Sequence, residues 1–331
     1  DYITIGVVIY HDNLSAASEH ARLALKDERP YASDKYLEQN SPKIAQEQMR
    51  MFIPVIFPTS FDYTINLSTL AALWRSAWTP AMKFVVGEMV VVLLDKYPEL
   101  SFMFSDEEKS SSEWSMDAPE FKYPGLLEKP RMGNISIDGT DSFMMPAPEI
   151  MHPVDRLHFL PQIMDNSIGG IRNRIEISLA TMGQDQRHRT IRRGTPEFTG
   201  NFYLPPILRE MGLGGIALEY FTRWADLRKS LPCTLHMLIA PYGAMVSYHK
   251  VGSFNAIAHE QAKRLCWCAQ EEIYHLGKQL RQGVLHASAG ELSRLFEPPC
   301  YRTGKCAEGE RYCGRDLSKR LDGDYFPDRT V

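Results

Sequence analysis

Residues 184–197 read Gln184-Asp185-Gln186-Arg187-His188-Arg189-Thr190-Ile191-Arg192-Arg193-Gly194-Thr195-Pro196-Glu197. Four arginines and one histidine fall within Arg187 to Arg193, and like charges so close repel unless an anion meets them. Arginine's planar fork suits phosphate or carboxylate through paired hydrogen bonds, and a neighbouring histidine can donate to a heterocycle or stack on it. The same run also reads as a solvated basic face neutralised by Asp185 and Glu197.

Outside this run the composition is that of a globular protein. The chain has 331 residues, 44% hydrophobic and 24% charged, room for two domains of about 100–200 residues each. Lys+Arg 37 against Asp+Glu 41 leaves a net charge of -4, so no global positive field is available to hold an extended nucleic acid. The longest apolar stretch, Met89 to Leu94, falls well short of the roughly 18 residues of a membrane span. Six cysteines and an opening that lacks a basic region followed by an apolar one point to a reducing cytoplasm.

The apolar pattern suggests an α+β protein with a mixed sheet and long helices. Residues 1–10 are β-branched and aromatic and predict a buried strand, whereas 15–28 carry helical spacing. Residues 70–94 are helical with a break at Thr79-Pro80. Clustered Pro, Ser and acids make 101–149 a loop-rich connector with short strands. Beyond it, helices are expected over 170–183, 213–230 and 255–283, with an extended piece over 234–249 and a Cys/Gly-rich tail over 297–331. Met144, Met145 and Met151 read as core. Residues 49–54 and 235–241 are both apolar runs ending in proline and leading to a long helix. This shared order suggests two diverged repeats, 1–100 and 150–296.

The run from Gln184 to Arg189 has the form Gln-x-x-Arg-His-Arg and resembles the signature of the flavin-dependent thymidylate synthases. His259, Arg264, Ala269-Gln270 and Glu272-Ile273 resemble the family's downstream helix motif. Phe202 to Pro206 is similar to its aromatic-proline turn. In the first half, Glu47-Gln48-Met49-Arg50-x3-Pro54 resembles a nucleotide-binding segment, and Tyr63 to Ser68 a flavin segment.

The resemblance implies the fold of the thymidylate-synthase-complementing proteins and the reductive methylation of dUMP to dTMP, with FAD, methylenetetrahydrofolate and NADPH. It assigns Arg187, His188, Arg189, Asn255, His259, Asn66 and Ser68 to the flavin. It assigns Gln184, Arg50, Arg75, Arg192 and Gln270 to a pyrimidine nucleotide, and gives Arg264 a catalytic place. It also implies a homo-oligomer whose sites are shared between repeats or chains, half one supplying Arg50 and Arg75 and half two supplying the Arg-His-Arg run.

Two positions depart from the family. Met237 stands where a second nucleotide arginine is expected, and Glu197 stands at a serine that meets the nucleotide. A carboxylate beside a phosphate costs roughly a kcal/mol or more. Either Arg192 or Arg193 neutralises Glu197, or the ligand is not dUMP, or Glu197 is itself a proton acceptor. These departures keep open another pyrimidine substrate, or a non-catalytic paralogue that binds flavin or nucleotide. If the tail folds back on the 255–283 helix, Cys266, Cys300, Cys306 and Cys313 form a possible zinc set, though Cys-x5-Cys-x6-Cys is looser than a zinc knuckle, and free thiols are the other reading.

Overall fold

A computed structural model of the chain describes residues 1–57, 62–77, 80–106, 120–138, 169–287, 293, 296–306, 308–309, 312–321 and 325–331. Met144, Met145 and Met151 lie outside the described residues. The fold is mixed α+β around an open sheet of seven strands in the order β1-β6-β7-β4-β2. These are β1 (Gly125–Leu127), β2 (Arg131–Met132), β4 (Gly170–Ser178), β6 (Glu197–Tyr203) and β7 (Ala244–Ser253). Short β3 (Ser136–Asp138) pairs with β4, and β5 (Arg192–Arg193) with β7. Among the described residues only β1/β6 is parallel, and β4/β7 is the longest antiparallel ladder, from Gly170↔Ser253 to Ser178↔Met245.

Residues 1–10 are not a strand. They open α1 (Tyr2–Glu28), whose buried positions Tyr2, Gly6, Ala17, Ala21 and Leu25 are spaced by four, eleven, four and four residues, the steps that keep side chains on one helix face. Tyr2 stacks on Tyr220 with ring centroids 4.6 Å apart, and a Cβ at Gly6 would run into the Tyr220 hydroxyl and the Phe52 carbonyl. Burial against these partners overrides the strand preference of Ile and Val, as context does for such propensities. A helix the sequence reading leaves unassigned, α2 (Asp34–Met49), packs antiparallel alongside within the same core, which also holds Phe202, Phe221 and Trp224.

Residues 170–183 are also corrected, being β4 followed by α5 (Leu179–Asp185). Ile171, Asn173, Ile175 and Ile177 are buried while Arg172 and Arg174 face out, an alternation of period two that polar Asn173 conceals. The extended piece 234–249 divides into helix α8 (Cys233–Leu238) and strand β7, and the long helix 255–283 divides into α9 (Phe254–Arg264) and α10 (Glu271–His286). Between them α6 (Pro206–Glu210) and α7 (Gly214–Leu227) follow β6. The break over 265–270 is set by Trp267, whose carbonyl accepts from Arg29 and Arg329, each at 2.8 Å.

The expected interruption near Pro80 separates α3 (Leu67–Ser76) from α4 (Pro80–Lys96). With the 3-10 segment Pro98–Phe104, these helices build their own apolar cluster around Leu70, Val86, Val90 and Phe104.

Candidate functional site

Three segments far apart in sequence converge on Gln270. The 3-10 turn Arg50–Phe52 is stitched to the α8–β7 turn, where Gly243 N donates to Met51 O at 3.0 Å, Tyr242 N to Ile53 O at 2.9 Å, and Pro54 forms a bridge with Pro241. At the start of α10, Glu272 accepts from Ser178 N at 2.7 Å, Ser178 Oγ at 2.6 Å and Thr181 Oγ1 at 2.5 Å. That carboxylate staples the first turn of α10 to the first turn of α5, which sets Gln270 opposite Gln184.

Gln270 Oε1 then accepts from Arg50 Nη2 at 3.1 Å and from Gln184 Nε2 at 2.5 Å, and Arg264 Nη2 donates to the Gln184 carbonyl. Arg50 Nε, Arg264 Nε and Gln270 Nε2 are buried without a partner among the described residues. Unmet buried donors cost about 1–3 kcal/mol each, so this set favours an acceptor such as a phosphate or a ring carbonyl. It opens beside a cleft of about 830 Å³ whose walls include Tyr36, Lys43, Glu47, Trp267, Cys268 and Gln270. Arg187 is exposed, and its charge acts on Glu47 of the cleft wall and on Arg264.

The basic run is divided in two. Arg193 turns inward. It reaches Asp185 Oδ2 at 2.5 Å and donates to the carbonyls of His188 and Ile191 at 3.0 and 2.8 Å. Lys250 joins Asp185 at 2.5 Å and Glu260 at 2.8 Å, and Tyr248 donates to Asp185 at 2.9 Å. Burial alone would raise the Asp185 pKa, but Lys250 and Arg193 hold it well below the usual carboxylate range. Asp185 is therefore a buried hub and not the acid of a solvated face. His188 is buried, its pKa pushed down to about 3 by desolvation and by Arg264, so it is neutral beside His259 at a ring separation of 5.6 Å. Asn255 is buried in α9 on the same side as His259. Arg189 and Arg192 are exposed.

Other expected site residues lie elsewhere. Neither Arg192 nor Arg193 meets Glu197, whose ion pair is with Arg174 at 3.5 Å with side chains 52% and 75% exposed for Arg174 and Glu197. Asn66 is the N-cap of α3, accepting from Thr69 N at 2.8 Å, and Ser68 and Arg75 are exposed on that helix. Arg50, Gln184, Gln270 and Arg264 are thus brought together, while Glu197, Asn66, Ser68 and Arg75 are not brought to them. The staple Glu272–Ser178–Thr181 and the hub partners Lys250, Tyr248 and Glu260 were not anticipated, since only the β4/β7 and α9 packing makes them neighbours. Asp185 was visible inside the motif as an acid among arginines.

Cys266 and Cys300 are half-buried, Cys268 is exposed and Cys313 is buried, all as free thiols. Among the described residues, no three His, Cys, Asp or Glu side chains are grouped so as to hold a metal ion, and no helix is long and apolar enough to cross a membrane. The sequence matches no known family model and no curated protein.

Proposed function

We propose that the protein is a flavin-dependent enzyme of the thymidylate-synthase type, methylating dUMP in a cytoplasmic setting. The observation that carries this reading is the convergence of Arg50, Gln184, Arg264 and Gln270, with donor atoms of three of them buried and unmet. Those are the residues the motif resemblance assigns to the nucleotide and to catalysis, and their donor chemistry fits an anionic, carbonyl-bearing ligand.

Arg187, His188, Asn255 and His259 would hold FAD. A neutral imidazole at His188 can both donate to and accept from a heterocycle, and the adjacent guanidinium groups suit a diphosphate. Bound flavin supplies the redox chemistry, with NADPH as reductant and methylenetetrahydrofolate as the one-carbon donor. The chain's own part is binding and electrostatics. Arg50 and Gln270 orient the nucleotide, and Arg264 stabilises negative charge that develops on the pyrimidine oxygens, held in place beforehand by the Gln184 carbonyl. Asn66, Ser68 and Arg75 would come from a second copy in a homo-oligomer, which agrees with the exposed apolar Phe84, Val91, Val92 and Phe102 around α3 and α4. The two-repeat organisation is part of the same reading and is supported by the opposed Pro54 and Pro241.

One observation favours a different pyrimidine ligand. Glu197, at the family's serine position, pairs with Arg174 away from the donor cluster. Release of tritium from carbon 5 of dUMP in the presence of FAD, methylenetetrahydrofolate and NADPH tests the assignment. Release that depends on Arg264 is expected. No release from flavin-loaded protein would move the reading to another pyrimidine nucleotide or base, or to a non-catalytic binding protein.

A further inference from the structure

Residues 327–331 pass between the two arms that carry the donor cluster. Arg329, 3% exposed, turns its side chain to the 265–270 break. Its Nη2 donates to the Trp267 carbonyl at 2.8 Å and to the Ala269 carbonyl at 3.2 Å, and its Nε to the Val331 oxygen at 2.9 Å. The Ala269 carbonyl belongs to the peptide plane that leads into Gln270, so this guanidinium fixes the plane from which Gln270 departs. The next residue serves the other arm. Thr330 O accepts from Gln48 Nε2 at 2.7 Å, and Thr330 N donates to Glu28 at the end of α1. Gln48 is fully buried in the last turn of α2, two residues before Arg50, and its Oε1 accepts from Ile207 N at 2.9 Å. Further contacts pin the segment itself. Tyr274 donates to Pro327 O at 2.9 Å and lies under the Arg329 guanidinium at 4.6 Å, and His275 Nε2 accepts from Arg329 N at 3.0 Å. Asp328 pairs with Lys129 at 2.5 Å and with Lys278 at 2.8 Å. Val331 accepts from Arg29 Nη2 at 3.1 Å and forms part of the cleft wall with Gln270.

We propose that residues 327–331 are a positioning strap for the donor cluster, Arg329 holding Gln270 and Thr330 holding the end of α2 that bears Arg50. Arg50 Nη2 and Gln270 Oε1 meet at 3.1 Å although 220 residues separate them in sequence. Adjacent residues of one segment grip both sides of that contact, so their relative position is set over a span of about 3.8 Å between neighbouring Cα atoms. A buried arginine suits the task, because its rigid fork of donors can hold several carbonyls at fixed angles, which a flexible ammonium cannot. The role of the strap rests on the nucleotide reading of the cluster. With the strap seated, the unmet Arg50 Nε and Gln270 Nε2 are presented together to one ligand, and with the strap displaced they part. Its contacts given above fall on α1, α2, the 265–270 break, α10 and Lys129, not on the loop of Arg187 and His188, so nucleotide affinity depends on it and flavin affinity does not.

The test compares the full chain with Arg329→Ala, Arg329→Lys and Asp328→Ala by amide hydrogen exchange and by separate titrations with dUMP and FAD. In Arg329→Ala, exchange should quicken over residues 50–54 and 265–274 while the β4/β7 ladder keeps its wild-type protection. The Kd for dUMP should rise about tenfold or more, the worth of one hydrogen bond to a charged group, with the FAD Kd unchanged. Arg329→Lys keeps a donor for the carbonyls and should recover part of the dUMP affinity, a rescue that general loosening would not give. Asp328 is exposed, so Asp328→Ala keeps the fold even where Arg329→Ala does not, and it should quicken exchange in the same two segments to a smaller degree. Wild-type exchange in those segments in folded Arg329→Ala would overturn the strap, as would acceleration spread equally into β4 and β7, or parallel loss of dUMP and FAD. A wild-type chain that binds no dUMP would instead overturn the nucleotide reading, and the exchange pattern alone would then decide the strap.

Discussion

Asp185→Asn probes the buried hub that holds the loop bearing Arg187 and His188. The Asp185 side chain is 0% exposed and meets Lys250, 5% exposed, and Arg193, 13% exposed, each at 2.5 Å. Replacing the carboxylate by an amide leaves two cations facing each other in a dry pocket with Glu260 as the remaining acid. Breaking a buried pair in this way costs about 3–5 kcal/mol. The exposed pair Arg174–Glu197 sets the contrast, since such pairs contribute about 0–1 kcal/mol. Urea unfolding followed by circular dichroism should therefore show a large fall in midpoint at unchanged slope for Asp185→Asn and almost none for Glu197→Gln.

The pH dependence adds a sign. Because Lys250 and Arg193 lower the folded pKa of Asp185, its contribution is present above the unfolded value and lost as pH falls toward the folded one. The gap between wild type and Asp185→Asn should close below about pH 4. An Asp185→Asn protein within about 1 kcal/mol of wild type at neutral pH would refute the hub.

Other outcomes are expected from the same geometry. Arg50→Ala should weaken dUMP by about 1.5–3 kcal/mol, roughly 10- to 150-fold in Kd, and leave FAD bound. Equal loss of both in parallel titrations would remove the division of labour. Glu271, fully buried and hydrogen-bonded to Tyr203 at 3.2 Å, has its pKa pushed up to about 8 by burial and by Glu272. Its raised folded value means stability is greatest below the unfolded pKa and declines as pH rises toward 8, and Glu271→Gln should flatten that decline in thermal melts. Gly6→Val should cost about 1–3 kcal/mol by driving a side chain into Tyr220 and Phe52, read as a lowered Tm. The His188 ring resonances should stay flat between about pH 5 and pH 8, and a midpoint near 6.5 would contradict its burial.

What could be read from the sequence was which residues gather, more than the shape that gathers them. Arg50, Gln184, Arg264 and Gln270 were singled out by motif spacing, and folding gathers them over separations of up to 220 residues. The secondary structure was harder where local and tertiary preferences conflict. Ile171 and Ile175 sit four apart and mimic a helix face, while buried polar Asn173 hides the true alternation of β4. The strand-like opening is helical because Tyr2 and Gly6 pack on Tyr220 and Phe52, partners no local pattern announces. The 265–270 break depends on Arg29, Arg315 and Arg329 closing around Trp267, contacts made across most of the chain's length. Glu197 looked loaded beside four arginines, yet its partner is Arg174 on another strand, since strand β6 carries it away from the loop.

The most direct test is the visible spectrum of the purified protein after incubation with FAD and gel filtration. A retained band near about 450 nm that bleaches on reduction, and that Arg187→Ala loses, is the predicted result. A colourless chain that cannot be reconstituted with FAD would contradict the account.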